Sequence, residues 1–190
     1  MVSLSTGVSR LSGRIARRFG LARFRRDASG ATAVEFGLVA LPFIALMLAI
    51  LETALLFFAS QTLETAVSNT GRLIRTGQAQ QQGFDAAQFK TDVCAQIMSL
   101  FNCADDLFLD VRTYQTFDEI NLAKPIDADG KLQKDDFTYD PGHGSDIVVV
   151  RAFYEWPTFS KLLGLNFSNL SDGNHLIAAT AAFRNEPFPW

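Results

Sequence analysis

Arg25-Arg26-Asp27-Ala28-Ser29-Gly30-Ala31-Thr32-Ala33-Val34-Glu35-Phe36 runs directly into a long apolar segment, and the reading of that junction sets the reading of everything after it. No residue from Phe36 to Leu51 is charged, and after Glu52 the apolar character resumes through Thr53-Ala54-Leu55-Leu56-Phe57-Phe58-Ala59. At the rise of an α-helix those roughly 24 positions extend about 36 Å, enough to cross a hydrocarbon core of about 30 Å. The run exceeds the core of a cleavable secretory signal, about 7 to 15 residues, and Phe57-Phe58-Ala59 makes a poor exit site. A transmembrane helix is therefore expected over residues 31–60.

Charge orients that helix. Residues 1–30 carry seven arginines (Arg10, Arg14, Arg17, Arg18, Arg23, Arg25 and Arg26) against Asp27 alone, so the net charge of −3 conceals a basic arm on an acidic remainder. Lys and Arg stay on the cytoplasmic side of a span. The basic leader 1–30 is thus expected in the cytoplasm and residues 61–190 on the far side of the membrane. Ahead of a span, the arm reads as a topology signal and not as a nucleic-acid contact.

Cys94 and Cys103 lie in the outer part, in the compartment where such a pair is oxidised. A disulfide between them is expected, closing a short loop for about 2.5 to 3 kcal/mol in the chain-entropy model. Neither a CxxC spacing nor a histidine pair supports a metal site there.

The helical pattern continues past the lipid. Leu63, Ala66, Val67, Thr70 and Ile74 recur on one face, while Gln61, Glu64, Ser68, Arg72 and Arg75 point elsewhere, so this stripe needs a protein partner. Gly77 is the first plausible stop, giving one helix from about Thr32 to Thr76. Asp85 as N-cap, Gln88 three residues on, and the staple pair Phe84 and Phe89 announce a second helix with Phe89, Val93, Ile97, Leu100 and Phe101 on its apolar face. Strands are expected at residues 107–114, 147–156 and 176–183, with a turn-rich acidic connection over 125–144 and a short helical turn around Leu162, Leu163 and Leu165. The alanines of the last strand (Ala178, Ala179, Ala181 and Ala182) leave room for the long helix to approach the sheet. The fold class is α+β: a long helix, half in the membrane, whose outer half packs on a small antiparallel sheet of about three strands with a second helix.

Gly-Ala-Thr-Ala-Val-Glu-Phe at 30–36, Pro42-Phe43, Ile50-Leu51-Glu52, Arg72-Leu-Ile-Arg-Thr-Gly-Gln-Ala-Gln80 and the closing Phe183-Arg-Asn-Glu-Pro-Phe188 together resemble the TadE-like family of tight-adherence (Tad/Flp) pilus systems. The resemblance implies a type IV pilin-like lollipop and a non-enzymatic minor pseudopilin of the bacterial inner membrane, used to start or build an adhesive pilus. It implies cleavage between Gly30 and Ala31 by a prepilin peptidase. It also implies assembly through Glu35, Phe36, Pro42 and Glu52 with a major Flp-type pilin, other minor pseudopilins and the inner-membrane platform, with no cofactor.

Physical chemistry gives these residues readings of their own. Gly30 offers an extended, side-chain-free backbone to a peptidase at the membrane surface, where the arginines hold it against the anionic leaflet. Glu35 either meets the α-amino group that cleavage creates on Ala31, one helical turn away or on a neighbouring subunit, or serves as an N-terminal helix charge. Glu52, about 25 Å further along and about 100° around the helix, cannot share a site with Glu35; it is an interfacial carboxylate or a contact to another subunit. Pro42 removes the hydrogen bond to the Leu38 carbonyl, which makes a soft point or a packing kink.

Other motifs carry less. Asp127-Ala-Asp-Gly130 with Asp135 and Asp136 departs from a calcium loop, since its glycine is fourth and Thr138 stands in the glutamate position. His143-Gly-Ser-Asp146 holds hydrolase residue types too close together to converge on a substrate, and His175 has no obvious partner. An uncleaved membrane scaffold and an anchored enzyme are the competing classes, the latter requiring His143 to act.

Overall fold

The computed structural model describes residues 29–97, 101–159 and 167–189; most of the basic arm, Leu100 and the turn expected around Leu162, Leu163 and Leu165 lie outside them. The chain divides into two compact units, Met1–Met47 and Leu48–Trp190.

Helix α1 spans Ser29–Arg75 and contains Pro42. It begins one turn earlier than the expected start at Thr32 and ends where expected, because Gly77 takes a left-handed φ of 76° that closes the last turn. Arg72 and Arg75 stand in that last turn, favourably placed against the negative end of the helix dipole. Within the apolar stretch the Thr53 hydroxyl donates to the Ala49 carbonyl at 2.8 Å, and Thr62 does the same to Phe58, so these polar groups need nothing from their surroundings.

In the first unit, α1 stands as a single helix with Val34, Phe36, Leu38, Val39, Leu41, Phe43, Ile44 and Leu46 all exposed. A helix this apolar on every face calls for apolar surroundings, either lipid or other protein. The helix is long and apolar enough to cross a membrane.

The second unit is built around a three-stranded antiparallel sheet in the order β1-β2-β3: β1 is Leu107–Tyr114, β2 is Ile147–Pro157 and β3 is Asn174–Arg184. The register pairs Leu107 with Tyr154 and Tyr114 with Ile147, then Ile147 with Arg184 and Pro157 with Asn174. The stripe Leu63, Ala66, Val67, Thr70 and Ile74 is buried as its spacing predicts, in one core with Leu107, Val111, Val148, Val150, Ala152, Tyr154, Ile177 and Ala179. Thr70 is satisfied inside that core by the Gln96 amide at 2.8 Å.

Strand alternation corrects one expectation. Ala179 and Ala181 pack into the core shared with α1, but Ala178 and Ala182 are exposed and only border the open margin between helix and strand. The close approach depends on Gly71 as well: a Cβ there would lie 3.1 Å from the Phe183 ring.

A short turn, α2 (Gln78–Gln81), leads to α3 (Ala86–Gln96), where the Asp85 carboxylate accepts the Gln88 N–H at 2.7 Å as the cap pattern predicts. The helix ends at Gln96, before Ile97 and Phe101, both of which are nevertheless in the core. Cys103 opens α4 (Cys103–Asp106), an element absent from the sequence reading, and is disulfide-bonded to Cys94 with Cα atoms 5.8 Å apart. Between β1 and β2 the acidic connection does more than turn: Ile126, Leu132 and Phe137 cover the other face of the sheet, packing on Phe153, Leu170 and Leu176. Its Asp127 carboxylate accepts the N–H groups of Asp129 and Lys131, an Asx turn closing the Ile126 to Leu132 bridge.

Candidate processing and assembly site

Gly30 and Ala31 lie in the first turn of α1, exposed, and a Cβ at Gly30 would meet nothing within 4 Å. The space around this bond is open among the described residues, but the backbone is helical and not extended as the glycine suggested. Presenting it requires the first turn to unwind, which is cheap where the leading N–H groups have no intrahelical partner and glycine disfavours the helix. Glu35 and Phe36 are exposed on the next turn, with Glu35 four residues from Ala31 and so on its face of the helix. The helix continues through Pro42, which is also exposed.

Glu52 has a different environment from Glu35. It is buried, and its Oε1 accepts the backbone N–H of Phe159 at 2.9 Å, just beyond β2. The residue read as an interfacial charge or an intersubunit contact thus has a partner within its own domain. It ties the helix to the segment after β2 while Phe159 itself remains 61% exposed.

The two outer signatures of the sequence converge in space. Phe183 packs on Gly71, the Glu186 N–H donates to the Arg75 carbonyl at 2.8 Å, and the Glu186 carboxylate stands 3.9 Å from the Arg75 guanidinium. Gln80 and the buried Asn185 both donate side-chain amide N–H groups to the Pro141 carbonyl, and Asn185 also donates to the His143 carbonyl at 2.9 Å. Gly144 is required beside this tail, since a Cβ would come within 2.5 Å of the Phe188 carbonyl oxygen. The helix end, the 141–146 loop and the C-terminal segment form one latch.

That latch accounts for the hydrolase-like stretch His143 to Asp146. The Asp146 carboxylate accepts the His143 backbone N–H at 2.7 Å and the Asp146 carbonyl accepts the Asn185 N–H, while the His143 ring is 89% exposed. His175, expected without a partner, has one: its Nδ1 lies 2.6 Å from the Phe167 carbonyl oxygen.

One cluster escaped the sequence reading. Asp110, fully buried on β1, faces its register partner Arg151 on β2, and accepts hydrogen bonds from Arg151, from Arg112 and from the Thr138 N–H at 3.0 Å. Arg151 and Arg112 also donate to the carbonyls of Ala123 and Asp136, so the pair clamps the covering connection onto the sheet. Burial pushes the Asp110 carboxyl up, but the hydrogen bonds from Arg151, Thr138 and Arg112 outweigh it and hold the group below the usual carboxylate range. The legible signal was a charge in the middle of each of two largely apolar strands, Asp110 on β1 and Arg151 on β2, of opposite sign.

Residues 30–72 match the family model described as TadE-like protein, a stretch that runs from the glycine through Glu35, Pro42, Glu52 and most of the buried stripe. No curated protein and no solved structure matches the chain.

Proposed function

We propose, from this TadE-like stretch at residues 30–72, that the chain is a minor pseudopilin that initiates or builds a Tad pilus and is processed after Gly30. The TadE-like match together with one long apolar helix fits a single-pass membrane protein of a Tad pilus system. The finer reading rests on one observation above all. The matched stretch holds an accessible glycine, a carboxylate one turn later and, in the first half of the helix, an exposed apolar run, all in a single continuous element.

The mechanism follows from charge. The arm holds the N-terminus on the cytoplasmic side, and residues 61–190 sit in the periplasm of a bacterial inner membrane. A prepilin peptidase cuts the Gly30–Ala31 bond, removing the arginines that oppose movement into the bilayer. The new α-amino group and Glu35 then neutralise one another, within one subunit or between neighbours, and lower the cost of carrying a carboxylate through lipid. Partners are the major Flp-type pilin, other minor pseudopilins and the assembly platform. The outer domain is structural and not catalytic in this reading, since His143 and Asp146 serve the latch.

A Gly30→Lys chain expressed in a Tad-piliated host lacking its own copy tests this. It should retain the leader and leave the cells without pili. Normal pili built with the uncleaved chain would instead establish a membrane scaffold that keeps its arm.

A further inference from the structure

An apolar groove of about 390 Å³ opens beside α1, lined on the helix by Thr53, Leu56 and Phe57 and on the sheet by Ile177 and Ala178, with Lys124 at its rim. The volume falls in the range of sites that hold small organic ligands, about 300 to 1,000 Å³. Its polar lining is largely committed elsewhere: the Thr53 hydroxyl donates to Ala49 and the His175 Nδ1 meets Phe167. Lys124 differs, being exposed and without a carboxylate in ion-pair range among the described residues, on a domain that is otherwise acidic.

We infer that this groove holds an acyl chain of an outer-leaflet phospholipid whose phosphate is met by the Lys124 ammonium. This inference rests on reading α1 as a membrane span. Thr53, Leu56 and Phe57 belong to the last turns of the apolar run, which ends at Ala59. The groove therefore opens where lipid chains are the most abundant apolar ligand available. Phe57 and Phe58 beside it are 69% and 44% exposed, a surface suited to the headgroup boundary, where a lysine stem can lie along apolar groups while its charge reaches a phosphate. A bound lipid would bring the base of the sheet, and not only the helix, into contact with the bilayer.

The test uses the full chain in nanodiscs of phosphatidylethanolamine and phosphatidylglycerol. With Cys94 and Cys103 bonded, single nitroxide labels are placed at Ala178→Cys in the groove, Thr180→Cys further along the exposed face of β3, and Phe43→Cys in the span. The proposal expects the label at 178 to share the high oxygen and low nickel-chelate accessibility of the label at 43, with the opposite at 180. It also expects native mass spectrometry to show a retained phospholipid that is lost in Lys124→Glu and in Ala178→Trp. Chelate-accessible labels at 178 and 180 with a lipid-exposed label at 43 would overturn the groove while leaving the span intact. A chelate-accessible label at 43 would overturn the span itself. Spin–spin broadening at 178 would assign the groove to a second copy of this chain and overturn the lipid.

Discussion

Asp110 and Glu52 show how much a single side chain decides here. Asp110 is buried between two arginines, so Asp110→Asn leaves Arg151 without its counter-charge. The substitution should cost about 3 to 5 kcal/mol, measured by urea denaturation of the detergent-solubilised chain. The pH dependence has a definite sign. Because the folded carboxyl titrates below its unfolded value, the unfolded chain binds the proton more readily. The stabilisation is fully present above the ordinary aspartate range and is lost as the pH falls through the depressed folded value. Denaturation midpoints should therefore be flat near neutrality and fall in acid, with this component of the fall missing in Asp110→Asn. Glu52 acts on a single backbone group. Glu52→Ala should speed hydrogen exchange at the Phe159 amide, by an amount corresponding to about 1 to 3 kcal/mol, whereas Glu52→Gln, which keeps an acceptor, should change it little. Equal protection in both variants would show that the contact holds nothing in place.

The elements divide by how locally their signals are written. The cap at Asp85, the stop at Gly77 and the strands of alternating or β-branched residues were legible because each depends on neighbours in sequence. The reach of α3 was not. A helical period links Val93 to Ile97 and Phe101, but the chain leaves the helix at Gln96 so that the bonded Cys94 and Cys103 can be brought together. Reduction of that bond, or Cys94→Ser with Cys103→Ser, should lower stability by about 2.5 to 3 kcal/mol by the loop-closure estimate, read as a shift in urea midpoint at unchanged slope. The contact of α1 with β3 was half legible. The alanines pointed to a close approach, but strand alternation places only Ala179 and Ala181 in the core shared with the helix, and Gly71 supplies the matching recess. Gly71→Val should destabilise the domain by about 1 to 3 kcal/mol through overpacking on Phe183, and pairing it with Phe183→Ala should recover part of the loss.

At the scale of the whole molecule, long-range pairings carry what local reading missed. Asp110 finds Arg151, and the tail from Phe183 to Phe188 finds the end of α1 and the 141–146 loop. None of these partners is near in sequence, and no periodicity announces them. The apolar helix needed no such partner to be recognised, because length, exposure and charge asymmetry are properties of one segment. The candidate site shares that property: Gly30, Ala31, Glu35 and Phe36 lie on consecutive turns, so their grouping was visible from spacing alone. The buried setting of Glu52 required the fold.

Intact mass and N-terminal sequence of the membrane-extracted chain, made with and without a co-expressed prepilin peptidase, reach the pseudopilin reading most directly. A new start at Ala31 that appears only with the peptidase is the predicted result. A chain that keeps its seven leader arginines whether or not the peptidase is present would contradict it.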